Sequence, residues 1–183
     1  MLGKPDGGWT EFSIDVGHKY HLSYLNDVVM DWIDQAIHGL TTMQPFAVHG
    51  FCEPDRMLCT VSYWDCYIVF ESDGIVERNS HSEMYGVALS MIDFCKLLYA
   101  DVSRDISAWA YWDHSSLENL AEDKIDELYP GIEKWTPEIS EKYQKLIEAE
   151  AELRKKAIQG KLDRLKELID SNEEHFGPHR CFF

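Results

Sequence analysis

The side chains able to do chemistry in this chain are imidazoles, thiols, carboxylates and large aromatics. Cys52, Cys59 and Cys66 recur every seven residues. On strands a step of seven reverses the face, and zinc sites typically place paired ligands about two to four residues apart, so these read as ordinary thiols. His18 and His21 flank an expected turn and His49 precedes Cys52 by three, but neither comes with a carboxylate at a defined spacing. His175, His179 and Cys181 lie in a tail broken by Gly177 and Pro178, where adventitious metal capture is the expectation. No glycine-rich loop precedes a helix, and G-x-S-x-G, H-E-x-x-H and paired C-x-x-C motifs are absent from the sequence. No metal, cofactor or catalytic residue is assigned. A metal-dependent or thiol-using enzyme built from the dispersed His and Cys residues is the competing reading.

Carboxylates and rings form two better-ordered sets. Asp27, Asp31, Asp34 and His38 follow at steps of four, three and four, opposite Val29, Trp32, Ile33, Ala36 and Ile37. Like charges at that spacing disfavour a helix by about 0.2–0.5 kcal/mol per pair, and a cationic partner would relieve them. The second set is Tyr99, Asp101, Asp105, Trp109, Tyr111, Trp112 and Asp113, in which aromatics mingle with acids as they do at protein-binding hot spots. The plain alternatives are a solvated face for the first set and core packing for the second. The expected partner-binding residues are Asp27, Asp31, Asp34, Asp101, Asp105, Trp109, Tyr111 and Asp113.

Charge narrows the partner. Lys and Arg number 17 against 33 Asp and Glu, a formal charge of −16, which argues against nucleic acid or an anionic membrane as a direct partner. The excess is uneven: residues 1–120 hold 18 acids and 6 bases, and residues 121–183 hold 15 and 11. At 45% hydrophobic and 13% aromatic the chain is apolar enough to fold, yet it contains no apolar run near the length of about 18 residues that a membrane span needs. The start, MLGKPDGGWT, lacks the basic and apolar regions of a signal peptide, and the odd count of five Cys fits free thiols in a reducing compartment. A cytoplasmic protein is expected.

The elements that would position these residues follow from periodicity. Phe12, Ile14 and Val16 alternate with Glu11, Ser13 and Asp15; Gly17-His18 suits a two-residue loop, and Tyr20, Leu22 and Tyr24 resume the alternation, which makes a hairpin. Asn26 is placed as the cap of a helix reaching Gly39. Strands are expected around Phe46 to Cys52, Leu58 to Tyr63 and Cys66 to Phe70, with a turn at Ser72-Asp73-Gly74. Ser82 and Glu83 open a second helix through Met84, Val87, Met91, Cys95 and Leu98. The stretch from Ile106 to Trp112 reads as a last strand, and Ser115 or Ser116 caps a short helix ended by Pro130-Gly131. Thr136-Pro137-Glu138 opens a long helix of about 50 Å that Gly160 bends or splits. The expected fold is α+β, an antiparallel sheet with helices packed on it. It comprises an acidic domain at residues 1–131 and a helical extension with a flexible tail at 132–183, through which homodimerisation or an adaptor role would run.

The run GHKYHLSYLND, the amphipathic helix after it and FAVHGFCEP resemble small bacterial proteins that accompany polymorphic toxins. The resemblance covers roughly the first 75 residues and carries no functional residues across. It implies an immunity protein that neutralises a cognate toxin. Together with the charge, it makes the expected partner a basic protein, for example a nuclease, bound stoichiometrically rather than transformed.

Overall fold

The computed structural model describes residues 1–15, 17–71, 83–131 and 135–176. It is α+β: two antiparallel sheets, with helices packed on one face of the larger and a long helix at the end. β1 (Trp9–Phe12) pairs with β2 (Tyr20–Ser23), and β3 (Phe46–Phe51), β4 (Arg56–Val61), β5 (Cys66–Glu71) and β6 (Glu83–Val87) form a meander in chain order. The helices are α1 (Val28–Thr42), α2 (Met91–Arg104), α3 (Ile106–Ala110), α4 (His114–Leu128) and α5 (Pro137–Phe176).

The core lies between the inward face of the sheet and the helices. Phe46, Val48, Met57, Cys59, Val61, Cys66 and Ile68 alternate inward along β3, β4 and β5, as a sheet with one packed face requires. Continuous with them in one core are Trp32 and Ile33 of α1, Phe94, Cys95 and Leu98 of α2, and Ile158, Leu162, Leu165 and Ile169 of α5, which packs along α1 and α2. Gly39 is required where α1 crosses the sheet, because an added Cβ would stand 2.2 Å from the Phe46 ring. α5 therefore shares the core of the β-containing part, and the boundary expected near residue 131 does not separate two cores. A smaller cluster of Leu117, Ala121, Ile147 and Ala151 joins α4 to the first half of α5.

Several local expectations are corrected. The β1–β2 connection runs from residue 13 to 19 rather than through a two-residue loop. It is shaped by Asp15, whose carboxylate accepts from the backbone N–H of Gly17 at 3.0 Å and of His18 at 2.8 Å. Asp27, not Asn26, caps α1 by accepting from Met30 N, and the helix runs past Gly39 to a left-handed Met43. Glu83 begins β6 rather than a helix, because pairing with β5 from Phe70↔Glu83 to Cys66↔Val87 outweighs the local helical spacing. Ser90 caps α2 instead, so only the Met91-to-Leu98 part of the expected stripe is helical. Residues 106–110 are helical, not a strand, since Asp105 breaks α2 and its carboxylate accepts from Ala108 N to start α3. Asp113 rather than a serine caps α4, accepting from Ser116 N at 3.0 Å. α5 opens at Pro137 as expected, spans about 60 Å and is not split at Gly160, since the helix runs unbroken from Pro137 to Phe176. Val16, the 72–74 turn, Ser82, His179 and Cys181 lie outside the described residues, as does the His175 side chain.

Candidate protein-binding surface

The acidic residues expected to meet a partner largely meet this chain. Asp27 caps α1 and lies 2.7 Å from Arg154 Nη2 of α5, in an ion pair rather than an aligned hydrogen bond. Burial raises the Asp27 carboxyl above its usual value despite the Arg154 charge that opposes this. Asp34 is paired with Lys161, also of α5. Asp101 is buried, accepting from Leu2 N at 2.9 Å and from Arg104 at 2.6 Å. Asp105 pairs with Lys4 at 2.9 Å while capping α3; the Lys4 hydrogen bond and then the Ala108 N–H hold its carboxyl below the usual range. Burial pushes the Asp113 carboxyl up, but hydrogen bonds from Ser116 and Ser115 outweigh it and the net shift is downward. Asp31 stays exposed and, with Asp34, Gln35, Ala47 and His49, lines a cleft of about 320 Å3 between α1 and β3.

The expected aromatic anchor divides. Trp109 and Trp112 are each 1% exposed, their ring centroids 5.4 Å apart, and Trp112 Nε1 donates to Asn26 O at 2.9 Å. Trp109 is thus a core residue and not an anchor, because a helical turn followed by Tyr111 puts residues three apart on one face where a strand would split them. Tyr111 alone is exposed, at 41%, with its ring stacked near His114.

A second aromatic surface lies on the sheet. The β4–β5 connection is a tight turn, Ser62-Tyr63-Trp64-Asp65, in which Ser62 N and Ser62 Oγ both donate to Asp65 O at 2.9 Å. Tyr63 is pinned through its hydroxyl to Met43 O and through its own carbonyl to Met91 N. Trp64 has the greatest exposure among the large apolar side chains described, 65%. Ladder pairs Thr60↔Tyr67 and Leu58↔Val69 set the outward residues side by side, flanked by Ala47 and His49 of β3. The signal in the sequence was the run Cys66-Tyr67-Ile68-Val69-Phe70, apolar at both parities.

The imidazoles and thiols gather only in part. His18, Lys19, His21, Cys52, Asp55 and Phe70 line an open cleft of about 410 Å3 between the β1–β2 loop and the β3–β4 turn. His18 Nδ1 is 2.8 Å from Asp15 and its ring stacks on Tyr85 at 4.1 Å. Burial, with the Asp55 charge behind it, pushes the Cys52 thiol up to about 11, and Cys59 and Cys95 are also raised, the opposite of what a nucleophile or metal-ligating thiolate requires. No group of three His, Cys, Asp or Glu able to hold a metal is found among the described residues. Nor is any helix there long and apolar enough to cross a membrane.

No protein-family model, curated protein or solved structure matches the chain.

Proposed function

We propose that this chain is a stoichiometric inhibitor of a basic protein, an immunity protein of the bacterial cytoplasm that neutralises a cognate toxin such as a nuclease. The carrying observation is uncompensated charge: α5 brings Arg154 and Lys161 to two of the α1 carboxylates, yet even with both counted the 18 acids of residues 1–120 face 8 bases. Such an excess repels itself in the folded state, and an enzyme built to hold polyphosphate presents the positive cleft that would relieve it. Exposed rings supply the desolvated contact that charge alone does not. Association through α5 is disfavoured, because the apolar stripe of that helix faces inward. The raised thiols count against thiol chemistry.

The test is to isolate the native complex, identify its second component by mass spectrometry and titrate that component's activity with the purified chain. Inhibition ending at one equivalent is expected, with association slowed steeply between about 0.05 and about 0.5 M salt. A companion without excess positive charge, or an affinity indifferent to salt, would overturn the proposal.

A further inference from the structure

An antiparallel sheet with one wet face alternates apolar and polar residues, whereas strands apolar at both parities belong to sheets covered on both sides. β5 reads as the second kind and is packed as the first: Cys66 and Ile68 are buried under the helices, while Tyr67 on the other side is 46% exposed. Leu58 beside it is 37% exposed, and Val69 lies across the ladder from Leu58. The Tyr67 ring rests against Gly86, where an added Cβ would stand 3.3 Å from Cε1, so the glycine lets the ring lie close to the sheet. Rigid strands and a hydrogen-bonded turn present these groups, so little order has to be gained on binding.

We infer that the outward face of the β3–β6 sheet, with Trp64 at its end, receives the basic partner, which lays the aliphatic face of a Lys/Arg-flanked helix across it. The inference rests on the proposed function and names its surface. Sheet faces are covered by helices or by other sheets, and the opposite face of this one takes helices. Charge selects the occupant. Arg56 is the one Lys or Arg on the outward face among the described residues and is tied to Glu71, while Glu53 and Asp65 stand at the β3–β4 and β4–β5 turns. A second copy would bring −16 against −16.

The experiment uses the intact chain and two synthetic Leu/Lys peptides of identical composition, one ordered so that Leu occupies a single helical face and one scrambled. Calorimetry at low salt should show the ordered peptide binding about tenfold tighter or more, with amide exchange slowed across residues 56–71. Trp64→Ser with Leu58→Ser, and separately Thr60→Lys, should each reduce that affinity about tenfold at an unchanged circular dichroism spectrum; Asp31→Asn with Asp34→Asn should change it less than about threefold. Equal binding of the two peptides overturns the face. Protection confined to α1, with loss in the Asp31/Asp34 variant, overturns the face but leaves the cation-binding function standing. Binding of neither peptide counts against both. A dimer that Thr60→Lys dissolves would give the face to a second copy and overturn the basic partner.

Discussion

Trp109 and Trp112 lie three residues apart in a helical turn and are both sealed in the core, whereas Trp64 sits in a four-residue β-turn with most of its ring in water. The first pair is held from several directions. Trp112 donates to Asn26 O, the neighbouring Asp113 starts α4, and Arg154 ties α5 to the α1 cap at Asp27. Among the described residues, Trp64 is held through its chain neighbours, Tyr63 and the Ser62–Asp65 bonds. The contrast separates rings that stabilise the fold from rings that remain free to bind. In α1 the same separation applies to charge: Asp27 and Asp34 are occupied by α5, and Asp31 is not.

Substitutions can break or sharpen this contrast, beginning where the effect is largest. Trp109→Ala should destabilise by about 3–5 kcal/mol through cavity formation, read as a fall in urea midpoint at constant slope. Loss under about 1 kcal/mol would mean that the ring is not core. Arg154→Met should cost about 2–3 kcal/mol, less than a fully buried pair because some water reaches it, and adding Asp27→Asn should recover part of the loss in a double-mutant cycle. Asp113→Ala removes a helix cap and should cost about 1 kcal/mol. Trp64→Ser should leave stability within about 0.5 kcal/mol of the parent while weakening partner binding, the reverse of Trp109.

Acid adds a signed test. The folded pKa of Asp113 is depressed below its usual 3.8, so its contribution is present above that value and lost as pH falls through the folded one. Asp113→Asn should therefore flatten the acid limb of the stability profile. Asp27, raised above 3.8, has the opposite sign: its contribution is full below 3.8 and is lost as pH rises through the folded value. Asp27→Asn in the Arg154→Met background should therefore steepen the acid limb.

Much of the α+β fold was legible in the sequence because its signals are local. Bracketing Pro and turn residues and β-rich runs placed β3, β4 and β5 close to their observed bounds, and Thr136-Pro137 opened α5 where it begins. The misplacements fell where distant pairing overrode local pattern. The spacing of Met84, Val87 and Met91 suits a helix, yet β5 claims residues 83–87 as its neighbour. Of the candidate surface, Asp31 and Tyr111 were found and remain accessible, while Asp34 is taken by Lys161; Trp64 and Tyr67 were passed over, although β5's double-sided apolar run marked a strand with two faces to cover.

By itself the sequence determined the acidity, the identity of most elements and the amphipathic stripe of α1, all of which depend on residue type and short spacing. Only the tertiary structure decided which carboxylates are already neutralised and which rings are exposed. Arg154 and Lys161 lie more than 120 residues from Asp27 and Asp34, and no local pattern records that α5 folds back along α1 to bring those opposite charges together.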